Sequence, residues 1–232
     1  MIYAAGEILL VVIGILIALS INSRYQNSQD RKSERVYISS ILNDVNQDIE
    51  TFTGYQESSN NIIETFSNSL KWFKESEPQP TANYVRLVYT LGIARLFENQ
   101  DVTFREMQSS GKLDLITSEI LKTDIIQYYD YVKRAKELSI FLRNYSAEIR
   151  NWKFMNSTLD MNSVLSQNYT EILEIDPIKP FPFHNPDYPQ RELLIETIST
   201  LQWFEIEERN RFQKLIKRAK EIESQIRKEM NE

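Results

Sequence analysis

The sequence predicts an all-α protein, with one N-terminal transmembrane helix followed by an elongated antiparallel bundle of four or five helices. Three observations lead there. Five glycines in 232 residues are too few for the turns of a long β protein. Apolar residues recur at three- and four-residue spacing along most of the chain, and no stretch alternates apolar and polar between paired turn signals. The opening residues are apolar on every side of a helix rather than along one stripe.

The opening comes first. Ile8 to Ser23 carries no charge, Met1 to Gly6 carries no side-chain charge, and Glu7 is the only charged side chain before Arg24. Eleven of residues 8–21 are Ile, Leu or Val. At roughly −0.3 to −0.6 kcal/mol each they contribute about −3 to −7 kcal/mol to insertion, whereas a carboxylate costs about 3 kcal/mol at mid-bilayer and less near the headgroups. The balance predicts a span over residues 1–23 with Glu7 toward one interface. A soluble core helix would keep a polar face. A cleaved signal would start with Lys or Arg, and this one starts with Glu7, although Ala18 and Ser20 have the spacing for cleavage. Glu7, Val11, Gly14, Ala18 and Asn22 share one face. Gly14-x-x-x-Ala18 lets two membrane helices approach closely, so the face points to a second copy or another membrane protein. The competing reading leaves the small residues in lipid and the polar ones among headgroups.

The stretch "YAAGEILLVVIGILIALSIN", residues 3–22, and a second, "TFREMQSSGKLDLI", residues 103–116, resemble segments of an uncharacterised family of single-pass membrane proteins from Bacteroidota. The two cover about 34 positions. The resemblance implies a single-pass protein of the bacterial inner membrane and assigns no activity or functional residue. This chain lacks the basic segment that usually precedes the span in that family, and has Tyr25 where a Trp is usual. Arg24, Arg31, Lys32 and Arg35 all follow the span, which taken alone keeps the helical part in the cytoplasm. A basic leader of the family's kind would reverse this, and the expectation adopted is an extracytoplasmic bundle.

Residues 24–35 are polar without Gly or Pro and predict a solvated helical neck. The bundle then runs from 36 to 232. Its first stripe is Val36, Ile41, Val45, Ile49 and Phe52, with Ile38 and Leu42 beside it, and Gly54 as a possible break. Ile62, Ile63, Phe66, Leu70 and Phe73 continue it until Pro78 and Pro80. A further helix is expected over 81–97. A short one, capped by Asp101 or Thr103, should end near Ser110 with Gly111 left-handed. A long helix over about 118–156 carries Leu121, Ile125, Tyr128, Val132, Leu138, Leu142, Tyr145, Ile149 and Trp152. Five of the seven prolines fall between 176 and 190, predicting an extended loop. The last helix, about 190–230, carries Leu194, Ile198, Leu201, Phe204, Phe212, Leu215, Ala219, Ile222 and Ile226.

The chemistry is narrow. No cysteine removes disulfides and thiolates, and a single histidine, His184, removes multi-histidine metal sites. A net charge of −6 argues against nucleic acid as a partner. No cofactor motif is present. Ser109 and Lys112 have Ser-x-x-Lys spacing but lack companion elements, so a helix cap explains them. Glu171 with Glu174, and Glu205 with Glu208, are carboxylates at helical spacing without the Glu-x-x-His of a metal bundle. Glu208 falls on the apolar stripe. Arg209, Arg211, Lys214, Lys217, Arg218 and Lys220 form a basic cluster among glutamates, read as a salt-bridged face or an anionic-lipid contact. The proline loop holds Phe181, Phe183, His184 and Tyr188, which either anchor a partner or plug the bundle end. The expectation is a non-enzymatic, membrane-anchored structural or interaction module, an envelope-complex accessory subunit or homo-oligomer. The alternative is a ligand-binding or sensory helical domain acting through a partner protein.

Overall fold

The computed structural model describes residues 2–75, 81–92, 95–150, 187 and 191–231, with side chains for most of them from Leu10 onward. All regular structure among them is helical: α1 (Ile2–Glu75), α2 (Thr81–Gly92), α3 (Val102–Ser109), a 3₁₀ turn (Lys112–Leu115), α4 (Glu119–Arg150) and α5 (Arg191–Asn231).

The 74 residues of α1 contain no proline, and nothing stops the helix once it has begun. Gly54, expected as a possible break, lies inside it, as do the polar residues 24–35. Those residues are largely exposed as far as Lys32, but Glu34 is buried, so the solvated segment stops short of its expected end. α2 is described as far as Gly92 and does not run on to Phe97, which lies in irregular backbone with its ring buried. α3 ends as expected. Ser110 is the C-cap, and Gly111 follows at φ 71, where a side chain would meet the next carbonyl.

The three long helices each carry a heptad-spaced seam. On α1 it runs Glu34, Ile38, Ile41, Val45, Asp48, Phe52, Tyr55, Ser59, Ile62, Phe66, Ser69 and Phe73. All are buried except the half-buried Tyr55. On α4 it runs Leu121, Ile125, Tyr128, Val132, Ala135 and Ser139. On α5 it runs Leu194, Ile198, Leu201, Glu205, Glu208, Phe212, Leu215, Ala219, Ile222 and Ile226, with only the two glutamates partly exposed. Alternating steps of three and four keep a seam on one side of a slightly underwound helix, which is the packing mode of coiled coils. Val36, placed on the stripe from sequence, is 64% exposed, because the seam passes through Glu34 and Ile38 on either side of it.

The chain divides into two compact units. Unit 1 comprises residues 1–47, 100–129 and 219–232. Ile38, Ile41 and Val45 of α1, Phe104 and Met107 of α3, Leu121, Ile125 and Tyr128 of α4, and Ile222 and Ile226 of α5 are buried in it. Tyr129 lies flat on Phe104 with ring centroids 4.3 Å apart. Unit 2 comprises residues 48–99 and 130–218. Its core packs Ile62, Phe66 and Phe73 of α1, Leu87 and Leu91 of α2, and Leu194, Ile198 and Leu201 of α5. Within it α1 and α5 run antiparallel: Arg191 donates to the Phe73 carbonyl, and Gln202 donates to the Ser67 hydroxyl at 2.6 Å.

From Leu10 to Ile21, nine Leu, Ile and Val side chains are 45–74% exposed. Among the described residues no helix is long and apolar enough to cross a membrane.

Candidate functional site

Polar groups that interrupt the seams are the natural starting point, because a buried polar atom persists only when something compensates its desolvation. In unit 1 the Glu34 carboxylate accepts the Thr117 backbone N–H at 2.6 Å and the Thr117 hydroxyl at 2.7 Å, and pairs with the Arg31 guanidinium at 3.0 Å. Burial, the largest single influence, pushes its pKa up, but the two Thr117 hydrogen bonds and Arg31 together hold it below the usual carboxylate value. Thr117 immediately precedes Ser118, whose carbonyl accepts the Lys122 N–H as α4 begins, so this clamp fixes where α4 starts against α1. Nearby, the Tyr37 hydroxyl donates to Glu106 at 2.9 Å and accepts from the Lys112 ammonium.

In unit 2 the seam of α5 carries two glutamates in successive turns. Glu205 pairs with Arg95, whose guanidinium also donates to the Tyr55 carbonyl at 2.8 Å. Glu208 pairs with Arg211 and accepts the Ser139 hydroxyl at 2.8 Å, and Arg211 reaches Ser139 at 3.2 Å. All four charged side chains are less than one-fifth exposed. Burial pulls the Arg211 pKa down, with Glu207 and Tyr131 opposing, but an arginine remains a cation across this range. Two acids and two bases make a neutral polar layer. Along α5 it falls between Leu201 of the apolar core and Phe212, which packs with Phe52, Phe97 and Tyr55 at centroid separations of 5.1–6.3 Å. Charges already satisfied by one another do not offer a general base. They tie α5 to Ser139 of α4 and to Arg95 of the 95–100 segment.

Two concavities have other properties. In unit 1 a cleft of about 490 Å³ is lined by Arg31, Lys32 and Arg35 of α1 and by Glu229 of α5. Its cations face a carboxylate and the last turn of α5, where the helix dipole is negative. In unit 2 a groove, also about 490 Å³, lies between α1 and α2, with Asn61, Asn68 and Trp72 on one side and Asn83, Arg86 and Tyr89 on the other.

The sequence-predicted residues fall as follows. Val11, Ala18 and Asn22 are exposed on α1, and nothing lies within 4 Å of a Cβ built on Gly14. The side chain of Glu7, the loop residues Phe181, Phe183, His184 and Tyr188, and the Glu171–Glu174 pair lie outside the described residues. The Ser-x-x-Lys spacing is a helix end: the Ser109 and Ser110 hydroxyls donate to the Glu106 carbonyl at 3.1 and 2.7 Å. The basic cluster is split, with Arg211 in the partly buried polar layer and Arg218 stacked 4.2 Å over the Tyr131 ring. Among the described residues no group of three or more His, Asp or Glu could hold a metal ion. Sequence reasoning missed Glu34 and Asp48, both buried on the α1 seam. Stepping back by four from Ile38, and on by three from Val45, would have found them.

In comparisons with known proteins, the chain matches no family model, no curated protein and no solved structure.

Proposed function

We propose that this chain is a single-pass protein of a bacterial inner membrane, anchored by residues 1–23, whose helical part is an extracytoplasmic, non-enzymatic interaction module. The observation that carries the reading is the exposed aliphatic run from Leu10 to Ile21 on the same helix that is packed from Glu34 onward. Monomers in water rarely expose so continuous an apolar surface, and only lipid or other apolar helices would cover every side of it. The resemblance of residues 3–22 to single-pass proteins supports the same reading.

The module role is supported by how the seam carboxylates are used, since Glu34 is spent on Thr117, Glu205 on Arg95 and Glu208 on Ser139 of α4. Lipid is the first partner. A second copy, or another membrane protein, is the second, along the face of Glu7, Val11, Gly14, Ala18 and Asn22. Alkaline carbonate extraction of membranes, with a C-terminal reporter active on only one side, tests the proposal. The expected result is full-length chain retained in the pellet with the reporter active outside the cytoplasm. Recovery in the aqueous fraction overturns the anchor, and a cytoplasmic signal overturns the orientation.

A further inference from the structure

The groove between α1 and α2 differs in kind from the charged layer of unit 2. On α1, Ser58, Asn61, Thr65, Asn68 and Trp72 follow one another at steps of three and four, so one polar stripe lines one wall for four turns. On α2, Asn83, Arg86 and Thr90 repeat the spacing on the opposite wall, with Tyr89 beside them. The two helices are joined by the apolar residues Ile62, Phe66, Leu87 and Leu91, so the polar stripes are not needed to hold them together. Among the described residues, the side chains of Asn61, Asn68 and Arg86 spend no hydrogen bond on a neighbour, unlike Arg95, Glu205, Glu208 and Arg211.

The lining chemistry selects a ligand class. Amides present an acceptor and two donors side by side, which suits a ligand whose groups both give and take hydrogen bonds, and hydroxyls are that kind of group. Trp72, half-buried, and Tyr89, 47% exposed, supply flat apolar faces with polar edges at the groove. The cationic Arg86 faces a groove that also holds the Glu64 carboxylate, so the lining does not favour a polyanion and nucleic acid is a poor fit. Helical walls expose no strand edge for an extended peptide, and the described lining of the groove is mostly polar, unlike the apolar groove that takes a helical one. A volume of about 490 Å³ lies within the roughly 300–1,000 Å³ usual for ligand sites.

We propose that this groove binds a neutral oligosaccharide. The sugar's ring faces lie against Trp72 and Tyr89, and its hydroxyls are met by Asn61, Asn68 and Arg86. This names a partner class for the interaction module, but it stands apart from the anchor: a chain that proved not to be membrane-bound would keep the groove, and a chain that bound no sugar would keep the anchor.

The test is titration calorimetry on the full-length protein in phospholipid nanodiscs, since sugar-headed detergents would compete. The titrants are chitotetraose, cellotetraose and maltotetraose. At least one should give a saturable heat. Tyr89→Ala, Trp72→Phe and Asn68→Ala should each weaken it by roughly tenfold or more, with helical content unchanged by circular dichroism. Trp203→Ala, an exposed aromatic of unit 2 outside the groove, should leave it unchanged. No heat from any titrant up to about 10 mM, or a heat that survives both Tyr89→Ala and Asn68→Ala, overturns the proposal.

Discussion

Glu34 shows how much one residue decides. Its side chain is 6% exposed and answers three donors at once, so removing it leaves the Thr117 N–H without its acceptor. Glu34→Ala should cost about 1.5–3 kcal/mol, the range for hydrogen bonds to a charged group, read as a lower urea midpoint. The pH dependence has a definite sign. A carboxyl held below its ordinary value in the folded state contributes stability above the unfolded value, about 4.3, and loses it as pH falls through the depressed folded value. The gap between wild type and Glu34→Gln should therefore be widest near neutrality and shrink in acid. A gap that widened below the carboxylate range would contradict the clamp. Two glycines give opposite outcomes for the same substitution. Gly54 sits inside α1 with nothing near its missing Cβ, so Gly54→Ala should raise stability by about 0.5–1 kcal/mol. Gly111, left-handed at φ 71, should lose about 1–2 kcal/mol as alanine. Both are read from thermal or urea midpoints.

At the scale of elements, the heptad seams explain what could be read from the sequence and what could not. Ile41, Val45, Phe52, Ile62, Phe66 and Phe73 were on the predicted stripe because apolar side chains announce a seam. Glu34 and Asp48 are hard to read from sequence because a carboxylate looks like the outside of a helix until its neighbours three and four residues away are counted. Glu208 was legible for that reason: Leu201, Phe212 and Leu215 had already drawn the stripe through it. Its partners were not, since nothing in linear spacing says that Ser139 comes to the same level. The α1–α2 groove was invisible in the same way, because Asn61 and Asn68 read as any solvated face until Asn83 and Arg86 stand opposite. The neutral layer makes a separable prediction. Glu208→Ala alone takes the carboxylate from the partly buried Arg211 and from Ser139, and should cost about 1.5–3 kcal/mol, the range for hydrogen bonds to a charged group. Glu208→Leu with Arg211→Met should recover most of it. If the layer sets register, the double variant should be stable yet less specific, with extra resonances or a second species in native-state NMR. A double variant as unstable as Glu208→Ala would mean that the charges themselves hold the helices.

For the whole molecule the decisive quantity is what α1 does with its first two dozen residues. The buried seam begins at Glu34, and none of the core side chains of either unit comes from residues 10–33. The aliphatic run therefore contributes nothing to folding that water would reward, while the nine exposed side chains between Leu10 and Ile21 gain a favourable environment only by leaving water. On the proposed anchoring, insertion is a balance small enough to be reversed. A gain of about 3–7 kcal/mol from eleven aliphatic residues is outweighed by two central lysines at roughly 2.5–3.5 kcal/mol each. Ile13→Lys with Leu16→Lys should therefore move the chain from the carbonate-resistant pellet to the supernatant and leave the helical signal of the two units intact, because Ile13 and Leu16 touch neither core. Ser23→Lys, at the edge of the run, should leave it in the pellet, since a lysine there reaches the headgroups. The pair separates anchoring from mere stickiness. An apolar surface held only by aggregation would respond to added charge wherever it was placed, whereas a span responds according to depth.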